Sequence, residues 1–444
     1  MNKKLYLVSL GCPKNLVDSE VMLGLLEDGG YMVCPDPEEA DLIVVNTCGF
    51  IQSAVEEAID EILHLSDVKE KNPQAKLIVT GCLVQRYGEA LRQELPEVDL
   101  FIGVDGFQNI IQIMGDATII KTGIHLAPPH FIMDSSLPRR ISTPRHRAYL
   151  KISEGCSNRC SYCLIPFIRG PLRSRSIDDL VIETKKLSND GIHELTLVGQ
   201  DVTAYGIDLP GKQSSLPALL TALLQTSSVD WFRLLYLYPN RITDELLSLM
   251  ACEKRVLNYL DIPLQHVSSR ILKKMNRPFS RTQIDSLLER IYKQIPSAAI
   301  RTTFIVGFPG EKESDIEEIA DFLKTYRLNN VGIFPYSNEE GCAAEHFADQ
   351  CSDEMKQERY DYLMELQADI SLARNREYVG RTLPVLVEGI SGESDLLLEG
   401  RTEFQAPEID GCVYITDGQC EQGDIVNVKI TEAHTYDLIG TIED

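Results

Sequence analysis

The stretch EGCSNRCSYCLIPFIRG, residues 154–170, contains three cysteines within eight positions. Cys156, Cys160 and Cys163, here called the loop trio, have the spacing C-x3-C-x2-C. The glycines and the proline around them disfavour a long helix, so the three thiols can surround one ligand. A four-iron cluster held by three thiolates keeps one iron free for a substrate or cofactor, whereas tetrahedral zinc requires a fourth ligand, and none follows Cys163 locally. The stretch therefore favours an iron–sulfur centre, with zinc and inert core cysteines as the weaker alternatives.

This loop follows the first of six apolar segments that predict strands between residues 147 and 375. The segments are AYLKIS, ELTLVG, WFRLLYL, LNYLDIP, IRTTFIVGF and NVGIFPY. Helix-length segments separate them, which is typical of a parallel sheet covered by helices. Six such units predict a partial (β/α)6 barrel, whose functional site lies at the carboxyl ends of the strands. The loop trio occupies a position of that kind.

Residues 1–125 show the same alternation and predict an N-terminal α/β domain with a parallel sheet. Cys12, Cys48 and Cys82, here called the edge trio, each lie close to the end of a predicted strand. Because the carboxyl ends of parallel strands share one edge, these distant cysteines can converge on one site. A glycine adjoins each cysteine and permits close approach of the backbone to a bound group. The alternative is that each thiol is buried in the core as a small hydrophobe.

The two remaining segments differ from this pattern. Residues 126–146 contain four prolines and predict a linker, whose arginines, Arg139 and Arg140 among them, are either a partner surface or solvated charges. Residues 376–444 contain short strands and turns that predict a small β-barrel of the oligonucleotide-binding type. From residue 380 onward this segment has three basic residues against 14 acidic ones, a balance unsuited to a phosphate backbone.

The composition of the whole chain limits its partners. A formal net charge of −24 over 444 residues disfavours loose binding to nucleic acid and suits a basic protein partner. Twelve cysteines in so long a chain favour metal or catalytic use over a disulfide framework. No apolar run approaches the ~20 residues of a membrane helix, and the segment LYLVSL predicts a first strand rather than a signal peptide. We therefore expect a cytoplasmic protein.

The loop trio, with Tyr162 before its last cysteine, resembles the signature of the radical S-adenosylmethionine (SAM) enzymes. The three predicted domains together resemble the methylthiotransferases of that superfamily, which combine an N-terminal domain bearing three cysteines, a radical SAM barrel and a C-terminal TRAM module. The stretch SLGCPKNLVDSE, residues 9–20, is similar to the RimO branch, whose members modify an aspartate of the small-subunit ribosomal protein uS12. The acidic C-terminal module agrees with that branch rather than with relatives that act on RNA.

The resemblance implies two 4Fe-4S clusters and two uses of SAM. A cluster on the loop trio would cleave SAM reductively, and the resulting deoxyadenosyl radical would take a hydrogen atom from the β-carbon of the substrate aspartate. A second cluster on the edge trio would carry a sulfur that another SAM methylates before transfer. Because that hydrogen is inert to acids and bases, no side chain is assigned as a catalytic acid or base.

The resemblance also implies SAM-binding residues at the ends of later barrel strands. Besides Tyr162, these are Gly199 and Gln200 after the second strand, Leu264 and Gln265 in DIPLQH, and Gly307 in IVGFPGE. The last segment departs from the common form of its motif, because Thr303 replaces a glycine and Glu311 comes one position late. A strand-to-helix turn with an acid near the helix start is the alternative for GFPGE. Arg169, Arg173 and Arg175 are either anion-binding or structural.

The expected partners are uS12, free or in an assembling small ribosomal subunit, and a one-electron donor of the flavodoxin or ferredoxin type. No membrane partner is expected, and tRNA is disfavoured. One alternative function is the same chemistry on a tRNA adenosine, and another is a non-catalytic metal-binding scaffold or redox sensor. The other cysteines show no paired spacing and are expected to be structural: Cys34, Cys252, Cys342, Cys351, Cys412 and Cys420.

Overall fold

The computed structural model describes residues 3–211 and 214–443. Its N-terminal part is a six-stranded parallel sheet in the order β2-β1-β3-β4-β5-β6, as the alternation predicts. The elements are β1 Lys3–Ser9, α1 Pro13–Asp28, β2 Tyr31–Val33, β3 Leu42–Thr47, α2 Gln52–Lys71, β4 Lys76–Gly81, α3 Cys82–Glu94, β5 Leu100–Ile102, α4 Ile110–Gly115, α5 Ala117–Thr122 and β6 Ile124–His125. Strand β3 is buried along its whole length, and its first four residues, 42–45, are a continuous apolar run as expected for a buried parallel strand.

The central part is a second parallel sheet of six long strands, in the order β14-β13-β12-β11-β10-β7, with helices between them. Its elements are β7 Arg147–Lys151, β8 Ser153–Glu154, α6 Ile165–Ile168, β9 Arg173–Ser174, α7 Ile177–Asn189, β10 Glu194–Val198, α8 Leu216–Thr226, β11 Trp231–Leu234, α9 Asp244–Cys252, β12 Val256–Asp261, α10 Ser269–Lys274, α11 Arg281–Gln294, β13 Ala299–Val306, α12 Glu313–Tyr326, β14 Asn330–Pro335 and α13 Asp353–Arg376. The sheet is open between β7 and β14, so the predicted partial (β/α)6 barrel is confirmed.

The C-terminal part is a closed five-stranded barrel in the order β15-β16-β17-β19-β18, as predicted. Its strands are β15 Thr382–Ser391, β16 Ser394–Thr402, β17 Val413–Ile415, β18 Ile425–Ala433 and β19 Leu438–Ile442. Among the described residues, no helix combines the length and the apolar content needed to cross a bilayer. We propose domain boundaries at residues 1–125, 126–146, 147–375 and 376–444, since these limits separate the three sheets.

Helix α1 joins the first two sheets. It packs against β7, the edge strand of the open barrel, and its polar residues Asp18 and Glu20 are buried there. Asp18 accepts hydrogen bonds from Lys151 and Arg169, and Glu20 pairs with Arg139 at 2.6 Å. Burying these charges is tolerable because each has an opposite charge as partner.

The segment 126–146 is more than a solvated linker. The side chain of Arg139 is buried and donates hydrogen bonds to Glu20, to Glu183 and to the carbonyl of Tyr149, so neither reading of this arginine as an exposed charge is correct. Arg140, in contrast, is exposed and pairs with Glu27.

The C-terminal barrel docks on the central sheet through a buried chain of charges. Glu194, on β10, lies between Arg233 at 2.6 Å and Arg401 of the C-terminal barrel at 2.5 Å. Arg401 also pairs with Glu388. Burial would raise the pKa of Glu194, but the guanidinium groups of Arg401 and Arg233 lower it to about 2. Glu194 and its two arginine partners are therefore ionised at neutral pH.

Candidate functional site

A cavity of about 200 Å³ lies at the carboxyl edge of the central sheet. Its walls come from the loop trio and from the residues that follow three successive strands, as expected for a barrel site. They include Tyr162 and Ile165 near the trio, Gln200 and Asp201 after β10, Tyr236, Leu237 and Tyr238 after β11, Pro263, Gln265 and Arg277 after β12, and Phe50 from the N-terminal domain. Residues of two domains thus enclose one site beside three thiols.

The loop that carries the trio is tightly folded. Gly155 has a φ of +71°, and a Cβ there would lie 2.2 Å from the carbonyl oxygen of Pro171, so only glycine fits. The amide of Cys156 donates to the carbonyl of Gly170 at 3.0 Å and closes the loop. Burial raises the pKa of the Cys163 thiol to about 12, which holds the free thiol neutral. Binding to a metal deprotonates such a thiol, so the donor set suits a metal centre.

Arg277 is a site residue that the sequence did not reveal. It is buried, its guanidinium stacks 4.4 Å from the ring centroid of Tyr238, and it lies 3.8 Å from the sulfur of Cys160. Its Nε has no hydrogen-bond partner within the part of the chain that the structure describes. The other two nitrogens donate to the sulfur of Cys160 and to the carbonyl of Pro263, so the side chain brings to the cavity wall a positive group with one unpartnered nitrogen. No motif marks this arginine, which lies three residues after the end of α10, so no local signal in the sequence could have revealed it.

Two residues of the cavity wall adopt the left-handed backbone conformation that disfavours side chains. Tyr236 has a φ of 63° and Gln265 a φ of 72°. The amide of Tyr236 donates to Asp261 at 2.9 Å. The amide of Gln265 donates to the carbonyl of Thr303 at 2.8 Å, and its side-chain nitrogen donates to the Thr303 hydroxyl at 3.3 Å. Thr303, the departure from the common motif, thus fixes a wall residue.

The predicted SAM-binding residues fall into two groups. Tyr162, Gln200 and Gln265 line the cavity. The remaining three, Gly199, Leu264 and Gly307, are not among its lining residues. Leu264 belongs to the hydrophobic core, and the amide of Gly307 donates to Glu311 at 2.8 Å.

Glu311 and the three arginines near the loop trio have partners within the protein. Glu311 is buried, lies two residues before α12 and pairs with Arg359 at 2.9 Å. Arg175 pairs with Glu183 at 2.6 Å, and Arg173 donates to backbone carbonyl groups. These contacts favour structural roles for Arg173 and Arg175.

The edge trio lies at the carboxyl ends of three neighbouring strands, β1, β3 and β4. Cys12 precedes α1, and Cys82 is the first residue of α3. A Cβ on Gly11 would lie 2.7 Å from the Cβ of Cys48, and one on Gly49 would lie 2.6 Å from the Cα of Leu83. The glycines beside the cysteines are therefore required because the three strand ends approach one another closely.

Arg169 connects the two trios. It lies six residues after Cys163, and its Nε donates to the sulfur of Cys82 at 3.2 Å. The same guanidinium donates to Asp18 at 2.7 Å and to Asn15 at 3.0 Å, both on α1. Burial raises the pKa of Cys82 to about 12 against the effect of Arg169. Burial also disfavours the thiolate of Cys12, but Lys14 and Arg169 outweigh it and lower the pKa of that thiol.

Neither trio is arranged for a single ion. In residues 3–211 and 214–443, no three His, Cys, Asp or Glu side chains are placed to share one metal ion. The loop trio instead surrounds part of a cavity, an arrangement that suits a cluster of several metals. One further thiol, that of Cys342, is buried against Cys82 and Ile168, and its place beside the edge trio was not predicted.

Three family models match successive parts of the chain. The uncharacterized protein family UPF0004 matches residues 4–103, the radical SAM superfamily matches residues 150–323, and the TRAM domain matches residues 379–442. Two solved structures show the same fold at low identity. The radical SAM methyltransferase TsrM from Kitasatospora setae has a TM-score of 0.54 at 14% identity over 75% of this chain and 73% of its own. The cobalamin-dependent radical SAM enzyme OxsB has a TM-score of 0.55 at 14% identity over 83% of this chain and 56% of its own.

Two full-length relatives share one name. The ribosomal protein uS12 methylthiotransferase RimO of Desulfotalea psychrophila is 52% identical over 99% of both chains. The protein of that name from Pelobacter propionicus is 48% identical over 100% of this chain and 98% of its own. With its three matched domains and this full-length identity, the chain belongs to the RimO family of radical SAM methylthiotransferases.

Proposed function

We propose that the protein transfers a methylthio group to the β-carbon of an aspartate in ribosomal protein uS12, using two 4Fe-4S clusters and two molecules of SAM. The observation that carries this proposal is the connection of two thiol trios, at the edges of two sheets, through Arg169. The activity named for the full-length relatives supports the substrate. A transfer that needs both radical chemistry and a sulfur source is suited to two such centres held close together.

The loop trio would hold one cluster and the edge trio the other. When bound, the clusters supply the electron that cleaves SAM and the sulfur that is transferred. Thiolates are the usual ligands of iron–sulfur clusters, and three of them leave one iron for an outside ligand. The loop trio lines a cavity with space beside the thiols, and this supports its assignment as the SAM-binding centre.

Residues of the cavity wall would bind SAM and exclude water. Arg277 would bind the carboxylate of SAM, because its buried guanidinium retains an unsatisfied nitrogen beside Cys160. Tyr162 and Gln265 would contact the rest of the cofactor. Gly199, Leu264 and Gly307 would act from behind the wall, where they fix the backbone of the lining residues. Enclosing the site protects a reactive radical from solvent.

The charge of the protein supports a protein substrate over tRNA. Of the three basic residues after position 380, Arg401 is buried in ion pairs, and Lys429 pairs with Glu443 at 3.0 Å. The C-terminal barrel therefore offers few free cations to a phosphate backbone. The net charge of −24 suits a basic protein substrate, as a ribosomal protein would be, and we propose that uS12 is met free or in an assembling subunit. A flavodoxin- or ferredoxin-type donor would supply the electrons, in the cytoplasm.

The test is a transfer assay with the anaerobically reconstituted protein, a reductant and SAM labelled in its methyl group. Purified uS12 and bulk tRNA are offered separately. We expect label in uS12, as a methylthio-aspartate that mass spectrometry locates, and none in tRNA. Label in tRNA would instead support the adenosine alternative. A protein that forms neither labelled product nor deoxyadenosine would be a scaffold or sensor.

Replacing one thiol of the edge trio separates the two centres. Cys48→Ala is expected to keep deoxyadenosine formation and to stop methylthiolation, because only the second centre is lost. The matched control is Cys34→Ala, which removes a buried thiol of the same domain whose sulfur donates to the carbonyl of Leu5. Normal methylthiolation by Cys48→Ala would remove the role of the edge trio.

A further inference from the structure

Glu339 is a buried carboxylate of the central domain that contacts the N-terminal domain. It lies in the loop after β14, and its side chain is only 5% exposed. Its Oε1 accepts a hydrogen bond from the amide of Gln52 at 2.8 Å, and its Oε2 pairs with the guanidinium of Arg86 at 2.8 Å. The hydroxyl of Ser337 also donates to Oε1. Each carboxylate oxygen therefore binds a different element of the N-terminal domain.

These two contacts lie beside the edge trio. Gln52 is the first residue of α2 and comes four residues after Cys48, whereas Arg86 lies on α3 four residues after Cys82. Arg86 also donates to the carbonyl of Gly49 at 3.0 Å, so it joins the loop after β3 to α3. The carboxylate thus holds together the two segments that carry Cys48 and Cys82, and it attaches both to the central domain.

The ion pair of Arg86 with Glu339 is separate from the other ion pairs at this interface. Within residues 3–211 and 214–443, every other ion pair that joins the N-terminal domain to the rest of the chain lies on α1. These pairs involve Asp18, Glu20 and Glu27. Contacts along one helix restrain rotation about that helix only weakly. A contact on α3 restrains the rotation more strongly, because it acts at a distance from the axis.

Glu339 and Arg169 hold the N-terminal domain from opposite sides of the open barrel. Arg169 follows the first strand, β7, and reaches α1 and Cys82, whereas Glu339 follows the last strand, β14, and reaches α2 and α3. Between Cys48 and Gln52 lies Phe50, which lines the cavity beside the loop trio. The segment that Glu339 holds is therefore part of the wall of the candidate site.

We propose that Glu339 is a positioning residue that fixes the orientation of the edge trio toward the cavity. This inference rests on the proposed function and names a residue that aligns its two centres. Glu339 acts through Gln52 and Arg86 and touches no reacting atom. Whereas Arg169 sets how close the trios lie, Glu339 prevents the edge trio from turning away from the cavity. Such alignment matters because a misplacement of about 1 Å can cost about a hundredfold in rate.

The test uses two variants of the anaerobically reconstituted protein. Glu339→Ala removes both contacts, whereas Glu339→Gln keeps an oxygen that can accept from the amide of Gln52 but loses the charge that pairs with Arg86. In Glu339→Ala we expect methylthiolation of uS12 to fall about ten- to hundredfold, while deoxyadenosine formation and iron per chain stay as in the wild type. Glu339→Gln should show a smaller fall.

Electron paramagnetic resonance supplies a readout that needs no substrate. The magnetic interaction between two reduced clusters depends on the distance and the orientation that relate them. We expect this interaction to change in Glu339→Ala and to change less in Glu339→Gln. A side chain that only stabilises the fold would leave the interaction unaltered in the folded, fully loaded protein.

The matched control is the neighbouring carboxylate of the same loop. Glu340 is exposed, and Glu340→Ala should keep the wild-type values of product, deoxyadenosine, iron and magnetic interaction. Arg86→Met should reproduce much of the effect of Glu339→Ala. The double variant should lose little more than Glu339→Ala alone, because both substitutions remove the same contact.

Three results would overturn the inference. The first is a magnetic interaction and a methylthiolation rate in Glu339→Ala equal to those of the wild type. The second is a loss of iron in both Glu339 variants, which would mean that Glu339 builds the second centre rather than orienting it. The third is a parallel fall of deoxyadenosine and methylthiolation, which would indicate a general loss of structure.

Failure of the proposed function gives a different result. A wild-type protein that holds two clusters but methylthiolates no residue of uS12 would overturn the proposed function, and the magnetic comparison would still test the orienting role of Glu339. A wild-type protein that holds a single cluster would overturn both.

Discussion

At the scale of the residue, the left-handed backbones of Tyr236 and Gln265 are the clearest sign of a site. A side chain in this conformation costs about 1–2 kcal/mol, which the surrounding hydrogen bonds must offset. Gln265 was predicted only through the resemblance, and Tyr236 was not predicted at all. Neither composition nor spacing records backbone strain, because strain arises from partners such as Asp261 that lie elsewhere in the chain.

The loss of Arg169 should cost stability, because this arginine pairs with two buried carboxylates. Arg169→Met leaves Asp18 and Glu154 buried with Lys151 as their remaining partner. We expect a loss of about 3 kcal/mol in the free energy of unfolding, the low end for a broken buried pair because Lys151 remains. Urea unfolding of the full-length protein measures this.

The matched control for Arg169 is an arginine whose ion pair is exposed. Arg140 pairs with Glu27 on the same helix α1, at the surface. Arg140→Met should cost about 0–1 kcal/mol, since solvent screens such a pair. Similar losses for the two variants would show that the buried network contributes no more than a surface pair.

At the scale of the element, the strand ends and helix α1 were predictable, but the burial of α1 between two sheets was not. The edge trio could be located because apolar runs, glycines and cysteines recur together along the chain. Helix α1 was predicted as one of the helices that cover the N-terminal sheet, yet it is buried between two sheets. Its polar partners Arg139 and Arg169 lie more than a hundred positions away, so no local pattern reveals the contact.

The close approach of the strand ends makes a prediction about iron content. Gly49→Ala places a Cβ 2.6 Å from the Cα of Leu83, which must push the loop after β3 away from the start of α3. If each trio holds a four-iron cluster, the reconstituted wild type should contain roughly eight irons per chain and Gly49→Ala roughly four. Iron and acid-labile sulfide assays measure this directly.

Another glycine of the same domain serves as the control. A Cβ on Gly115, at the end of α4, would meet nothing within 4 Å, and Gly115→Ala should retain the full iron content. Full iron content in Gly49→Ala would mean that the loop can shift without loss of the second centre.

At the scale of the whole molecule, three sheets with distinct topologies were predictable, but their contacts were not. From the sequence, Arg401 could be recognised only as one of three basic residues after position 380. In the structure it is the buried link between the C-terminal barrel and β10. The partners Glu194 and Arg401 are 207 positions apart, so only the folded chain brings them together.

This link predicts how stability depends on pH. Burial opposes ionisation of Glu388, but its hydrogen bond from His146 and the charges of Arg401 and Arg147 lower its pKa to about 2, as the neighbouring arginines do for Glu194. A carboxyl whose pKa falls on folding stabilises the protein above its unfolded pKa of ~4.3, and this contribution is lost as the pH falls toward the folded value. The urea midpoint of the wild type should therefore fall between about pH 5 and pH 3.

A variant that lacks the negative charge of Glu388 should lose less stability as the pH falls. Glu388→Gln is expected to be less stable at neutral pH and to show a shallower fall in the urea midpoint over the same range. Glu393→Gln, which removes an exposed carboxylate from the turn between β15 and β16, should keep the wild-type slope. If the urea midpoint of Glu388→Gln falls with pH as steeply as that of the wild type, the ionisation of this carboxylate does not contribute to the pH dependence of stability.

The position of Arg169 affects how much the distance between the two trios can vary. When two sites lie on different domains, the distance between them changes with every movement at the hinges and interfaces that separate them. Here Arg169, six residues after Cys163, donates a hydrogen bond to the sulfur of Cys82. The distance between the two trios is therefore set by a short segment of chain and one contact. If a small group passes between the two trios, as we propose, the distance that it crosses would depend mainly on this contact and little on movement elsewhere in the two domains.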